Sequence, residues 1–494
     1  MSGNVTLQRS GCSPRWLACA CFISALLWFN PASGLEPVAI ELDSGETLMV
    51  DAGTVLVPEN RNDPDSREIA IGFYRIKGAD GAGEIPMVMV PGGPGGSYLA
   101  YLDEGGRRQS FTALLIDLYR QHGDVVLIDL RGLNASTPNA LCDGPPDKWQ
   151  MLDSKEDFVR IFEEASVACR DKLIAEGFDL AGYTVLEAAA DVVAVIDHLG
   201  YEKFNIYGNS FGSHWSMTVV RYHADRVNRA IITAVEGYDH TYDDPRGVRQ
   251  AVQAIAEQAA PAWQAAGREG DPLQALDALF AASADDPEMA NGMQPYEITT
   301  FGFDGMDYGV TQRAPAEAWP AAVADLVDGG SWLIRMGAKL FGARFIGAGD
   351  SAAVWALLDC SSGISAARRS DLEADRDPLF SDRSFMAYDA ACPAWGIAEL
   401  PPEFQAGEAV EVPVLFAHGD IDAATPLRNA LEMTDAFANA HLITIENGTH
   451  GAFVEALRHT EEMRPIVSAW LDGTAPTISR LTVPPLEFEP IPEP

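Results

Sequence analysis

A glycine-flanked serine constrains the fold of this 494-residue chain more than any other feature. The segment Gly208–Gly212, Gly-Asn-Ser-Phe-Gly, follows the apolar run Phe204–Tyr207 and precedes a helix-compatible run that begins near Ser213. It fits G-x-S-x-G, a sharp turn between a strand and a helix in which a flanking β-carbon would clash with crowded backbone. The pattern predicts that Ser210 is a nucleophile above a sheet; the alternative is a purely structural turn.

Apolar runs and helical patterns alternate before and around this turn. Three short runs predict buried parallel strands: Pro86–Val90, Val125–Leu130 and Phe204–Tyr207. Between them, Ser154–Glu176 and Thr184–Leu199 have helical patterns, and an alternating stretch over Glu41–Lys77 is typical of antiparallel strands. This order predicts the α/β class, with a mostly parallel sheet covered by helices on both faces.

A long helical stretch interrupts the strand pattern. After the strand-like Ala230–Ala234, residues 239–402 are largely Ala-rich and helical, and strand patterns return at Val412–Ala417 and His441–Ile445. We therefore expect one core domain in two parts, residues 35–238 and 403–480, with residues 239–402 inserted as a helical cap. A Pro- and Glu-rich tail, residues 481–494, follows.

A serine nucleophile needs a base, and the base needs an acid that orients it. His450 lies in a Gly-flanked loop after the last predicted strand and is the expected base. Asp422, in the loop after the preceding strand, is the expected acid, with Asp420 as its rival. His418, directly before Gly419, is expected to pack near the strand end instead.

Acyl transfer also needs backbone N–H donors for the developing oxyanion. One normally comes from the residue after the nucleophile, here Phe211. The glycine-rich loop Pro91–Ser97 follows a predicted strand and can supply the second donor, for which we favour Gly93. A phosphate-binding loop is the competing interpretation, but its prolines lack N–H donors and no Lys-Ser or Lys-Thr pair follows.

The chain is strongly acidic, with 34 basic and 72 acidic residues and a formal net charge of -38. Repulsion from a polyanion argues against nucleic acid as a partner. An acidic soluble surface explains this charge, and a preference for cationic substrates is the alternative. The expected chemistry needs no metal or cofactor.

Residues 1–34 have the pattern of a cleavable secretory signal. Arg9 and Arg15 precede the apolar run Trp16–Phe29, and small residues lead to a cleavage site near Gly34. The run is shorter than the roughly 20 residues that a membrane-spanning helix needs, although an anchor stays an alternative. A lipoprotein signal at Cys19 or Cys21 is a further alternative.

Four cysteines remain after this leader: Cys142, Cys169, Cys360 and Cys392. Export would allow them to oxidise, and three pairings exist. Sequence proximity favours the first two together and the last two together, whereas a metal site lacks supporting motifs.

The sequence resembles the α/β-hydrolases of the proline iminopeptidase and tripeptidyl aminopeptidase group, which are serine exopeptidases. Five ordered motifs carry the resemblance: Pro91–Ser97; Asp129–Gly132 with Ser136, Pro138 and Cys142; Gly208–Gly212; Asp422–Pro426; and Gly448–His450. The resemblance implies an α/β-hydrolase fold, in which Ser210, Asp422 and His450 act as nucleophile, acid and base, Gly93 and Phe211 form the oxyanion hole, and a cap recognises a free amino terminus. Asn134 and Phe211 depart from residues frequent in the group, glycine and tyrosine.

These observations predict an exported serine exopeptidase that hydrolyses short peptides from the free amino end through an acyl-enzyme on Ser210. Glu236, after the strand-like run that ends at Ala234, is the candidate for binding the substrate ammonium; otherwise it is a solvated acid. A carboxylesterase is the alternative because the same constellation cleaves esters. A non-catalytic binding protein on a hydrolase scaffold is more remote. No stable membrane insertion is expected once the signal is removed.

Overall fold

The computed structural model describes residues 34–144, 154–290, 292–299, 311–329, 352–380, 382–407 and 410–494. Its centre is one sheet, whose ten strands are β1 (Glu36–Glu41), β2 (Thr47–Pro58), β3 (Glu68–Ile76), β4 (Met87–Val90), β5 (Val125–Ile128), β6 (Phe204–Ser210), β7 (Val227–Val235), β8 (Val414–Gly419), β9 (Ala440–Glu446) and β10 (Arg480–Thr482). Their spatial order is β1-β2-β3-β5-β4-β6-β7-β8-β9-β10.

Strand pairing changes from antiparallel to parallel across this sheet. The strands β1, β2 and β3 pair antiparallel, and β3 also runs antiparallel to β5. From β5 through β4 and β6 to β10, the pairings are parallel. The mostly parallel sheet confirms the predicted fold class, whereas β10 was not predicted from the sequence.

Helices connect and cover these strands. In the described part of the chain they are α1 (Tyr98–Glu104), α2 (Gly106–Tyr119), α3 (Lys155–Ala175), α4 (Val185–Leu199), α5 (Phe211–Tyr222), α6 (Pro245–Ala265), α7 (Pro272–Asp285), α8 (Pro295–Thr299), α9 (Arg313–Val327), α10 (Ala352–Ser362), α11 (Ala366–Ala374), α12 (Asp382–Trp395), α13 (Pro402–Ala406), α14 (Leu427–Ala436), α15 (Ala452–His459) and α16 (Met463–Leu471).

The pleat of the central strands sends alternate side chains to opposite faces of the sheet. Val88 and Val90 of β4 belong to the apolar core that includes α3, α4 and α5. Met87 and Met89 belong to a second core with α1, α2, α15 and α16. All four side chains are buried, and full burial of one such side chain contributes about 1.5–3 kcal/mol. Helices therefore cover both faces.

The chain between β7 and β8 forms helices α6 to α13 and, within its described residues, no strand. Trp263 of α6 and Trp319 of α9 are buried in a third apolar cluster. The same cluster includes Ile421, from the loop after β8, and Leu486, from the C-terminal tail. The inserted helices thus pack directly on the loop that carries the expected acid. The exact domain boundaries stay a prediction.

Two disulfides lie outside the sheet. The structure joins Cys142 to Cys169 and Cys360 to Cys392, the pairing that sequence proximity favours. The predicted signal, residues 1–34, lies outside the described residues except for Gly34. Within the described residues, no helix combines the length and the apolar character needed to cross a membrane.

A buried guanidinium fixes the chain just after β5. Arg131 is fully buried, and its Nε and Nη2 donate to the two carboxylate oxygens of Asp191 at 2.8 and 2.7 Å. Its Nη1 donates to the backbone carbonyls of Glu59 and Gly182. One side chain therefore joins the chain after β2, the turn before α4, and α4 itself.

We predict that Arg131→Ala lowers the free energy of unfolding by about 3–5 kcal/mol, because it leaves Asp191 and two carbonyls buried with fewer partners. Arg160→Ala is the matched control, since Arg160 is about half exposed and pairs with Asp157 on the surface of α3. Arg160→Ala should lower the free energy of unfolding far less, because an exposed ion pair contributes little to stability. Urea denaturation measures both values, and equal losses would contradict a structural role for Arg131.

Candidate active site

The predicted nucleophile lies in a sharp turn between β6 and α5. Ser210 ends the strand with φ 58° and ψ -131°, a conformation in the left-handed half of φ space, and Phe211 begins the helix. A β-carbon on Gly208 would lie 2.0 Å from the carbonyl oxygen of Gly212. One on Gly212 would lie 2.5 Å from the carbonyl oxygen of Val90. Neighbouring backbone therefore leaves no room for a side chain at either position. This is why the G-x-S-x-G pattern has glycine on both sides of the serine.

The structure brings Asp422 and His450 together from the loops after β8 and β9. The Nδ1 atom of His450 lies 3.1 and 3.0 Å from the two carboxylate oxygens of Asp422. Burial lowers the pKa of His450, but the charge and hydrogen bond of Asp422 outweigh this and raise it above 6.5. Burial raises the pKa of Asp422, yet the effect of His450 keeps it below 3.8. Each group therefore favours the charged form of the other.

Neighbouring groups hold the Asp422 carboxylate in place. The hydroxyl of Thr425 donates to Asp422 at 2.8 Å, and the amides of Ala424 and Thr425 donate at 2.9 Å each. His418 is buried, accepts the Val235 amide on Nδ1 and lies with Nε2 2.7 Å from the Thr425 carbonyl. It therefore packs at the strand end, in the position the sequence favoured. Asp420, the rival acid, lies in the same loop, but the carboxylate in contact with His450 is that of Asp422.

A cavity of about 350 Å³ joins these groups. Its lining includes the predicted nucleophile, base, oxyanion loop and ammonium-binding acid: Ser210, His450, Gly92, Gly93, Pro94 and Glu236. Strands β4 and β7 flank β6 in the sheet. The loop after β4 and the residue after β7 therefore approach Ser210 from opposite sides.

Both predicted oxyanion donors lie beside the nucleophile. Phe211 is the first residue of α5, and the first amides of a helix have no partner within the helix. Gly93 has φ +132° and lies next to Gly92, where an added β-carbon would be 2.9 Å from the β-carbon of Ser210. The loop after β4 thus packs on the nucleophile turn itself.

Three carboxyl groups line the cavity on the cap side. Glu236, partly exposed, follows β7, Asp243 lies in the same loop, and Asp359 is a buried residue of α10. The pKa of Asp359 is raised to about 7, because burial, together with the charge of Asp243, outweighs the 2.8 Å hydrogen bond from the Tyr388 hydroxyl, which lowers it. Burial, then the charges of Asp359 and Asp243, raise the pKa of Glu236 well above 4.5. A bound cation would relieve this repulsion.

Of these groups, Glu236 was predicted from the sequence, whereas Asp243, Asp359 and Tyr388 were not. Glu236 directly follows β7, and the apolar pattern of that strand predicted its position at the edge of the sheet. Asp359 and Tyr388 lie on the cap helices α10 and α12, where neither is part of a recognisable motif.

Comparisons with known proteins agree with this geometry. A family model described as alpha/beta hydrolase fold matches residues 85–262, and a second, described as TAP-like protein, matches residues 377–476. The first range contains Ser210, and the second contains Asp422 and His450. The chain has the α/β-hydrolase fold. With a serine in the nucleophile turn, it is a serine hydrolase.

Named relatives of this α/β-hydrolase are peptidases. It is 26% identical over 436 residues to a tripeptidyl aminopeptidase of Streptomyces lividans, covering 81% of this chain and 78% of that enzyme. A tripeptidyl aminopeptidase of Streptomyces coelicolor gives 26% identity over 81% of this chain and 77% of the relative. A solved serine hydrolase from Cycloclasticus zankles is 14% identical, covering 85% of this chain and 98% of the other at a TM-score of 0.36. That last likeness is too distant to bear on the reaction.

We predict that Asp422→Asn lowers the pKa of His450, because it removes the carboxylate charge that stabilises the imidazolium. NMR titration of histidine-labelled protein measures the shift, with the His450 signal assigned from His450→Gln. Asp420→Asn, a change in the same loop, should move the signal much less. Equal shifts in the two variants would contradict the role of the 3.0 Å contact.

Proposed function

We propose that the chain is an exported serine exopeptidase that hydrolyses short peptides from their free amino end, through an acyl-enzyme on Ser210. One observation carries this proposal. A single cavity is lined by Ser210, His450 and three carboxyl groups, Glu236, Asp243 and Asp359. The first pair suits acyl transfer, and the carboxyl groups suit a substrate ammonium.

The reaction begins when His450 takes the proton of the Ser210 hydroxyl, and the oxygen attacks the scissile carbonyl. The Gly93 and Phe211 amides donate to the oxyanion that forms. His450 then gives its proton to the leaving amine, and an acyl-enzyme on Ser210 remains. Water, deprotonated by His450, attacks this ester, and His450 gives that proton to the Ser210 oxygen as the ester bond breaks and the acid leaves. Asp422 stabilises the imidazolium in both steps.

The carboxyl groups on the cap side bind the amino terminus and thereby select the cleaved bond. Glu236 lines the cavity on the far side of Ser210 from the Gly93 loop, so it faces the acyl part of a substrate. Its raised pKa and that of Asp359 follow from burial and from neighbouring carboxyl groups, and an ammonium compensates both effects. The tripeptidyl aminopeptidases of Streptomyces support release of three residues.

Export fits the two disulfides, which form in oxidising compartments, and the signal pattern of residues 1–34. The acidic surface, with a formal charge of -38, suits a soluble exported protein and cationic peptide ends.

A carboxylesterase with the same nucleophile and base is the second candidate. Three carboxyl groups in the cavity disfavour it, because a neutral ester brings no positive charge to them. Aminoacyl arylamides and simple aryl esters distinguish the two. Hydrolysis of the esters alone, with no unblocked peptide cleaved, would favour the carboxylesterase.

We predict that a fluorophosphonate probe labels the wild-type protein and not Ser210→Ala, because phosphonylation requires the activated hydroxyl. Ser216→Ala is the matched control. Ser216 is buried on α5, the helix that begins directly after Ser210, and its hydroxyl donates to the Gly212 carbonyl at 2.6 Å. Mass spectrometry of the labelled peptide identifies the site. A folded wild-type protein that stays unlabelled would instead favour the non-catalytic binding protein.

We predict that Glu236→Gln and Asp359→Asn each raise KM for an unblocked tripeptide arylamide about tenfold, because a charge-assisted hydrogen bond contributes about 1.5–3 kcal/mol. KM for an aryl ester without an ammonium should stay within about twofold. The matched control is Asp389→Asn, next to Tyr388 on α12, whose carboxylate pairs with Arg369 instead. If Glu236→Gln leaves KM for the unblocked substrate unaltered, Glu236 does not bind the ammonium.

A further inference from the structure

One buried carboxyl group near the active site has no part in the proposed mechanism. Asp129 directly follows β5 and is 1% exposed. Ser97 donates its hydroxyl to Oδ1 at 2.6 Å, and the Ala135 amide donates to Oδ2 at 3.1 Å. Burial raises the pKa of Asp129 to about 7, although both hydrogen bonds lower it. These two hydrogen bonds offset part of the cost of burying this acid.

The partner of Asp129 ends the loop that carries Gly93. Ser97 is buried and caps the N-terminus of α1, where its hydroxyl oxygen accepts the Ala100 amide at 3.0 Å. The hydroxyl proton therefore points to Asp129 while the oxygen receives a helix amide. Both hydrogen-bonding roles of the hydroxyl are used, which fixes the rotamer of Ser97.

The other end of the loop rests on the nucleophile turn. An added β-carbon on Gly92 would lie 2.8 Å from the Asn209 carbonyl oxygen and 2.9 Å from the β-carbon of Ser210. Within the loop, the Gly96 amide donates to the Gly92 carbonyl at 3.0 Å. Gly93 is thus held between a tight backbone contact on one side and the Ser97 hydrogen bond on the other.

We propose that Asp129 is a positioning residue for the oxyanion hole, which it sets by holding Ser97 and, through the loop, the Gly93 amide. Asp129 touches no substrate and acts only through Ser97. The proposal rests on the proposed serine-hydrolase mechanism. Asp129 therefore stabilises the transition state, in which the oxyanion forms, and does not contribute to binding of the substrate.

The two acceptor oxygens explain why an aspartate is needed here. Asparagine has one acceptor oxygen and one amide donor. If its oxygen accepts the Ala135 amide, its NH₂ group faces the Ser97 hydroxyl, and that hydroxyl must turn its proton elsewhere. The reverse orientation sets NH₂ against the Ala135 amide. Either arrangement breaks one of the two hydrogen bonds. Asparagine is close to aspartate in size, so Asp129→Asn loosens the loop without creating a cavity.

The test measures kcat and KM of Asp129→Asn on an aryl ester without an ammonium, and inhibition by an aryl trifluoromethyl ketone. That ketone adds to the serine and forms an oxyanion, so its affinity reports on the hole. We expect kcat to fall about ten- to hundredfold, with KM within about twofold. The inhibition constant of the ketone should rise by the factor lost from kcat/KM.

Ser136→Ala is the matched control. Ser136 is fully buried, donates to the backbone carbonyl of Asp129 at 3.1 Å and accepts the Gly72 amide at 3.0 Å. It touches Asp129 but not the Pro91–Ser97 loop. The Ser136→Ala variant should have a lower melting temperature than the wild-type protein, while its kcat and its affinity for the ketone stay at wild-type values.

Ser97→Ala reports on the same contact if Asp129→Asn does not fold, and Ser97→Thr, which keeps a hydroxyl, should restore part of kcat. Wild-type kcat and ketone affinity in folded Asp129→Asn or Ser97→Ala would overturn the proposal, as would an equal loss of kcat in Ser136→Ala. A wild-type protein that resists fluorophosphonate would refute the serine-hydrolase mechanism instead, so the two failures are distinguishable.

Discussion

The close approach of three backbone segments around Ser210 is the constraint on which the site depends. The loop after β4, the end of β6 and the start of α5 meet where β-carbons on Gly92, Gly208 and Gly212 would overlap neighbouring backbone. In the sheet, Val90 pairs with Gly208, so the last residue of β4 lies beside the first glycine of the turn. Sheet register therefore fixes the loop that carries Gly93 relative to the nucleophile. A larger residue at any of the three glycines would push these segments apart.

The parts of the site that the sequence predicted are those that local backbone chemistry determines. The turn at Ser210 needs flanking glycines, and Asp422 and His450 follow strands whose carboxyl ends share one edge of a parallel sheet. The cap differs. Asp359 and Tyr388 lie on α10 and α12, whose helical patterns report which face packs inward but not which helix meets the cavity. Strand β10 was missed for another reason, because only one of its three residues is buried.

Two adjacent residues of α5 connect the nucleophile to the acidic part of the cavity. The Ser213 hydroxyl donates to the Ser210 carbonyl at 2.5 Å and accepts the Glu236 amide at 2.7 Å. His214 lies with Nδ1 2.9 Å from the Gly237 carbonyl and Nε2 3.0 Å from the hydroxyl of Ser362, three residues after Asp359 on α10. Burial lowers the pKa of His214 to about 4, so the ring stays neutral at ordinary pH. The distance from Ser210 to the carboxyl groups is thereby set by hydrogen bonds.

Like charges that are buried together repel, so the acidic side of the cavity needs support from outside the cavity. The disulfide between Cys360 and Cys392 joins α10 and α12 covalently close to Asp359 and Tyr388. Cys360 follows Asp359 directly on α10, and Cys392 lies one helical turn after Tyr388 on α12, on the same side of that helix. The bond thus joins the two helices beside the hydrogen bond between Tyr388 and Asp359. A disulfide that closes a loop of this length stabilises a fold by about 2–4 kcal/mol. That contribution offsets part of the repulsion between the neighbouring carboxyl groups and holds Asp359 in place at the cavity.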